Sequence, residues 1–433
     1  MQARAPLGQI GFLGLSHLGI VSSAAWASFG DPVVAFDPRP DVVQRLSRGD
    51  PPVQEPGLTE LLGGQRSNLT FSSDPAVLSA CEMVVVAQDV PTDAGNVSDL
   101  GSVTQLLDAA LPHVASDTVF VIMSQVPPGF TRTMRDRLAD LRPGVTIEMY
   151  YLVETLIFGE AVKRALKPER MIVGCEDPEH PINPRLRKAL SRFGCPILPM
   201  RYESAELTKT AINLYLIGSV TYANSLSDLC ERLGADWLEV VPALRLDQRI
   251  GPSAYLRPGL GIAGGNLERD LATLTRLATD VGVDTTYFDA LGQHNAHRFD
   301  WLHRQLEDRV FARAAMPRIG VWGLAYKKNT QSTKNSPGLR LIQEIGPRAI
   351  VSAWDPAVKQ ADVPVSVAVA PDRDSVLDAA EGLVVAADWD AFATADLDTI
   401  RQRMRHALIV DCVGVLASRR KEMVGIEYVS MGR

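Results

Sequence analysis

Short, nearly continuous apolar runs alternate with longer helix-compatible stretches along the first third of the chain. The runs at 9–13, 33–36, 83–87, 118–123 and 146–150 have the length and β-branched content of buried strands. From 203 the rhythm changes. Residues 203–234 form a long proline-free stretch rich in alanine and leucine, which predicts a helix, and 237–246 predicts a second. A glycine-rich segment, Gly259 to Gly265, leads into a third helix-like run at 267–278, and further helices are expected to about 313. Strand-like runs return at 318–322, 349–354, 382–386 and 407–410, with a helix expected at 337–345. Alternation of this kind at both ends predicts α/β domains with parallel sheets flanking a helical middle.

Composition narrows the picture without deciding it. With 433 residues, 46% hydrophobic and 22% charged, the chain reads as an ordinary globular protein of two or three domains. Its net charge of −7 and scattered basic residues offer no nucleic-acid patch, and no apolar run is long enough for a membrane helix. The opening residues show no signal-peptide anatomy, so a cytoplasmic location is expected. Cys81, Cys175, Cys195, Cys230 and Cys412 are odd in number and widely spaced, which suits reduced thiols. The histidines form no pair that proposes a metal.

Candidate chemistry begins at Gly14-Leu15-Ser16-His17-Leu18-Gly19, which follows the first strand and opens a helix. The second strand ends in Asp37, about 20 residues further on, which is the layout of a Rossmann-like dinucleotide site. The turn brings a diphosphate to a helix N-terminus, and the acid accepts ribose hydroxyls. Asp37 should repel a 2′-phosphate and favour NAD over NADP, a preference moderated by Arg39. Ser16 departs from the pattern by standing where the middle glycine is usual. Pro91, Ser124 and Glu154 follow later strands, on the edge where open parallel sheets bind ligands. Position alone also allows Glu154 to be a solvated loop acid.

Lys209 and Asn213 lie four apart and share one helical face. That spacing fits a solvated surface pair, yet Ala211, Ile212 and Leu214 around them suggest a buried helix. Gly259, Gly261, Gly264 and Gly265 give a backbone able to approach a ligand, with Asn266, Arg269 and Asp270 at the exit. A plain helix-connecting turn accounts for the glycines equally well; the polar residues favour a site. Lys327 and Lys328 follow a strand and could meet phosphates or simply face solvent.

Taken together these segments resemble the UDP-glucose/GDP-mannose dehydrogenase family over almost the whole chain. The likeness rests on Gly14 to Gly19 with Asp37, on Pro52-Val53-Gln54-Glu55-Pro56-Gly57-Leu58, and on Glu154 followed by Gly159-Glu160-Ala161. It continues through Leu207 to Asn213, Asn224 to Glu231, Arg249-Ile250-Gly251, the glycine loop, and Gly323-Leu324-Ala325-Tyr326-Lys327. The resemblance implies an NAD-binding Rossmann-like domain over 1–202, a central helical dimerisation domain over 203–313, and a Rossmann-like nucleotide-sugar domain over 314–433. It implies NAD as cofactor, a homodimer, and oxidation of a sugar alcohol to a carboxylate in two steps through a cysteine thioester. By position, Lys209 and Asn213 would stabilise the oxyanion, with Asp270 and Glu154 near the reacting water. Gly14, Ser16, His17, Leu18, Gly19, Asp37, Pro91, Ser124 and Lys334 would face the cofactor. Arg249, Tyr255, Gly261, Gly264 and Lys327 would face the substrate.

The departures are chemical. Asn266 stands where the family has its nucleophilic cysteine, and an amide cannot form a thioester. Ser124-Gln125-Val126-Pro127 replaces a Ser-Thr-Val-Pro turn, Asp411-Cys412-Val413 lacks an expected arginine, and Lys334-Asn335 replaces Arg-Glu. The expectation is therefore a two-electron alcohol/carbonyl oxidoreductase, or a redox-neutral variant that retains NADH, acting on a nucleotide-sugar, nucleoside or sugar derivative. Two alternatives are four-electron oxidation through an aldehyde hydrate with Asp270 activating water, and a non-catalytic nucleotide-binding homologue.

Overall fold

The computed structural model describes residues 7–93 and 97–433; the opening segment, read above for signal-peptide anatomy, lies largely outside them. The chain divides into two compact units, Met1–Ile212 and Asn213–Arg433. The expected C-terminal domain and all but the first ten residues of the expected central domain fall in the second unit.

In the first unit eight strands form one sheet: β1 (Gln9–Leu13), β2 (Val33–Phe36), β3 (Leu69–Ser72), β4 (Cys81–Val86), β5 (Val119–Ile122), β6 (Glu148–Leu152), β7 (Met171–Cys175) and β8 (Ile197–Arg201). Their order is β3-β2-β1-β4-β5-β6-β7-β8. The first six are parallel in the 3-2-1-4-5-6 order of a doubly wound fold, and β7 then pairs antiparallel to β6. Strands such as Val-Phe-Val-Ile are buried at every position because helices cover both faces. Helix α1 (His17–Ala27) is buried along its entire length, which its Leu-Gly-Ile-Val-Ser-Ser-Ala-Ala-Trp run permits.

The strand expected at 146–150 lies two residues later, because Tyr151 and Leu152 are core residues that pair with Gly174 and Val173. Strands β3, β7 and β8 were not expected. β3 is a half-exposed edge, and β8 carries Pro199, which only an edge strand tolerates.

Helix α2 (Tyr202–Leu233) matches the long expected stretch to within a residue at each end. In the second unit follow α3 (Trp237–Leu246), α4 (Asn266–Asp280) and α5 (Thr286–Leu306). A second parallel sheet is ordered β10-β9-β11-β12-β13, from β9 (Arg318–Trp322), β10 (Ile350–Trp354), β11 (Gly382–Val385), β12 (Leu408–Asp411) and β13 (Glu427–Ser430). Helix α6 (Pro337–Ile345) follows β9 and packs Leu341, Ile342 and Ile345 on the core shared with Phe299, Trp301 and Leu302 of α5.

Candidate active site

The first unit supplies a dinucleotide-type turn. Gly14 takes φ +90° and donates its N–H to Phe36 O at 2.9 Å, tying the end of β1 to β2. A Cβ on Gly19 would fall 1.9 Å from Gly14 O, so only glycine lets α1 start this close to the strand. Asp37, 1% exposed, accepts Leu15 N–H at 2.8 Å and both the Nε and Nη2 of Arg39 at 2.8 Å. Burial pushes its carboxyl upward, but the Arg39 side chain and the two backbone N–H donors outweigh that and hold it below the usual range. A tight turn, a helix N-terminus and a buried ionised acid fit a dinucleotide with free ribose hydroxyls.

His17 and Leu18 open α1. His17 Nε2 lies 3.0 Å from Glu55 Oε2, and its ring stacks on Phe158 at 4.3 Å. Glu55 also accepts the N–H groups of Gly159 at 3.0 Å and Ala161 at 2.8 Å, so one buried carboxylate fastens three segments. Leu18 N–H donates to Asp89 at 3.2 Å, and Asp89 N–H donates to Ser16 Oγ at 2.8 Å. Ser124 is wholly buried, its Oγ accepting Gln88 N–H at 2.9 Å, while Pro91 is exposed.

Beyond β6, Lys209 Nζ donates to Glu154 Oε1 at 2.7 Å and to Glu154 O at 3.0 Å. Lys209 is 9% exposed, so the pair is the partly buried, charge-assisted kind. Glu206, a turn earlier on α2, accepts Gly129 N–H at 2.6 Å and Thr131 N–H at 2.8 Å, which fixes the rotation of the helix that carries Lys209.

In the second unit Asn213 Nδ2 donates to Asp270, whose other oxygen lies 3.2 Å from Arg269 Nε. Asp270 is 1% exposed and Asn213 9%. The glycine loop is shaped by close approach. Gly264 and Gly265 take φ +89° and +86°, and a Cβ would strike the Tyr326 ring at 2.4 Å and the Lys334 stem at 2.8 Å respectively. Lys327 Nζ lies 5.5 Å from the Tyr326 ring, so Gly264, Lys327 and Lys334 gather around one loop. Gly261 sits against Asn295, which accepts Ile262 N–H at 2.6 Å; Asn224 accepts Gly259 N–H at 2.8 Å. Asn266 is the exposed first residue of α4. A cleft of about 430 Å³ is lined by Leu260, Ile262, Glu268, Asn335 and Arg340. Glu268 accepts from Asn335, and burial raises its carboxyl despite that bond and the Lys334 charge. Arg249 stays apart, 88% exposed and paired with Asp247, and Tyr255 is 47% exposed. Asn224, Asn295, Tyr326, Glu55 and Asp89 had no assigned role; the first four support loops, and Asn224, Glu55 and Tyr326 stood within quoted motifs.

Comparison with known proteins decides what these parts belong to. The NAD binding domain of the UDP-glucose/GDP-mannose dehydrogenase family matches residues 8–190, its central domain 203–297 and its UDP binding domain 320–418. The chain belongs to the UDP-glucose/GDP-mannose dehydrogenase family. This is a family of NAD-dependent oxidoreductases acting on CH–OH groups, and NAD is the cofactor. The UDP-glucose 6-dehydrogenase of Rhizobium meliloti is 26% identical over 98% of this chain and 99% of its own length. That of Pseudomonas aeruginosa is 28% identical over 97% and 96%. The solved UDP-glucose dehydrogenase of Pyrobaculum islandicum superposes with a TM-score of 0.87 at 28% identity, covering 98% of this chain and 97% of that one. Among the described residues no helix of this dehydrogenase-family chain is long and apolar enough to cross a membrane.

Proposed function

We propose that the protein removes two electrons from an alcohol of a nucleotide-sugar, or of a related nucleoside or sugar derivative, giving an aldehyde or ketone. The observation that carries this reading is Asn266. It opens α4 directly after the glycine loop, and none of the five cysteines lies in that loop. Cys412 approaches the loop, with its carbonyl 4.0 Å from where a Gly259 Cβ would be, but its thiol is wholly buried and burial pushes it well above the ordinary range. Burial likewise lifts the Cys81 thiol to about 12. A reactive thiolate is thus missing where a covalent second oxidation needs one.

Bound NAD supplies the acceptor for the carbinol hydride. The hydroxyl proton passes to a carboxylate, for which Asp270 is the candidate; the family resemblance gives Asn213 and Lys209 the role of donating hydrogen bonds to the oxygen as charge develops. Glu154 holds Lys209 in its charged, oriented form. The reading extends to a homodimer working in the cytoplasm. The homodimer is supported by Tyr215, Tyr222, Leu229 and Leu233, exposed at 68%, 45%, 50% and 72% along α2 at spacings that return to one side of the helix. The test is product mass after incubation with NAD and a panel of UDP-sugars, GDP-mannose and nucleosides. A product lighter by two hydrogens supports the reading, and a carboxylate overturns it.

A further inference from the structure

The N–H of Leu18 is one of the unpaired donors at the start of α1, and in a turn of this class such donors receive the cofactor diphosphate. Here that N–H is already directed at a carboxylate, Asp89 Oδ2, at 3.2 Å. The placement is built rather than incidental. Asp89 N–H is tethered to Ser16 Oγ at 2.8 Å, and Ser16 Oγ in turn reaches Ala87 O at 3.4 Å. Ser16 is the residue that replaces the middle glycine of the turn, so this departure from the dinucleotide pattern is what anchors the acid. Gln88 joins the same cover. A Cβ on Gly14 would lie 2.6 Å from Gln88 Oε1, and Gln88 Nε2 donates to Asp89 O at 3.3 Å. The other polar side chains around the turn are occupied with one another: His17 with Glu55, and Arg39 with Asp37. Among the described residues Asp89 forms no ion pair.

We propose that Asp89 is a specificity-determining gate on the cofactor site, a tethered anion that must leave the N-terminus of α1 before a diphosphate can bind there. A carboxylate and a diphosphate cannot both accept Leu18 N–H, and two anions brought to contact in a partly buried site repel strongly. The gate therefore lowers affinity for any ligand that carries a diphosphate and leaves ligands without one unaffected. It favours exchange of the cofactor with solvent over its retention between turnovers.

The test is equilibrium binding to the full-length protein by calorimetry, with NAD, ADP-ribose and adenosine as probes. Asp89→Asn and Asp89→Ala should each tighten NAD and ADP-ribose about tenfold, equivalent to about 1.4 kcal/mol, without tightening adenosine. Ser16→Gly, which cuts the tether but keeps the acid, should tighten the same two ligands by a smaller factor and covers the case in which an Asp89 variant folds poorly. Unchanged or weaker binding of NAD and ADP-ribose in the folded variants overturns the proposal, since a merely structural cap predicts a loss. A gain shared equally by adenosine overturns it as well.

Discussion

Replacing Glu55 should damage the first unit out of proportion to the size of the residue. Its side chain is 0% exposed and accepts three hydrogen bonds, from His17, Gly159 and Ala161, at 3.0, 3.0 and 2.8 Å. Glu55→Ala removes all three and leaves two backbone N–H groups and an imidazole without their acceptor. Hydrogen bonds to a charged group contribute about 1.5–3 kcal/mol each, but they are not additive, and breaking a buried pair from one side costs about 3–5 kcal/mol. We take about 3–5 kcal/mol, a large part of a typical stability of about 5–15 kcal/mol. Glu55→Gln keeps the shape and one acceptor, and should lose about half as much. The pH dependence follows from the direction of the shift. Burial raises the Glu55 carboxyl, but the bonds from His17 and the two N–H groups outweigh it and hold it below its ordinary value. A lowered carboxyl contributes stability that is present above the unfolded-state value and lost as pH falls through the folded-state value. The gap between the parent and Glu55→Gln should thus be full at pH 7 and close in acid. Urea unfolding at several pH values measures it. A Glu55→Ala variant within about 1 kcal/mol of the parent at neutral pH would refute the reasoning.

Three further outcomes are expected. Lys209→Ala and Asp270→Asn should each lower kcat by about 10²–10⁴-fold while leaving NAD affinity, read by fluorescence titration, within error. Glu268→Gln should raise Tm at neutral pH and not in acid. Burial raises this carboxyl, so its proton is favoured by the folded state, and ionisation above the folded-state value costs stability that the amide avoids. Tyr222→Asp, on the exposed side of α2, should halve the mass measured by light scattering without lowering helical content.

Local signals were the legible ones. The turn at Gly14 with Asp37 depends on a short stretch of spacing, and α3 matches its expectation at both ends because Asp236 caps it and Asp247 ends it. Helix α6 is equally well marked, by the Ser336 cap and Pro337 in its first turn. The rest depends on partners distant in sequence. Glu55 meets His17 across 38 residues, Asp89 meets Leu18 across 71, and Asn295 holds Ile262 across 33. No periodicity encodes those pairings. β8 carries Pro199 and lies at a sheet edge, and Asn295 stands within α5 outside every motif. The polar loop residues around Gly264 and Gly265 were readable as a group, but Tyr326 and Lys334 packing on them was not.

An enzyme of this family without a thiol at the head of α4 stops, on the proposed reading, after one hydride transfer. The direct measurement is the molar ratio of NADH formed to substrate consumed, by absorbance and mass spectrometry on the same samples, with whichever sugar or nucleoside alcohol turns over. One NADH per substrate and a carbonyl product are expected. Two NADH per substrate with a carboxylate product would contradict that reading.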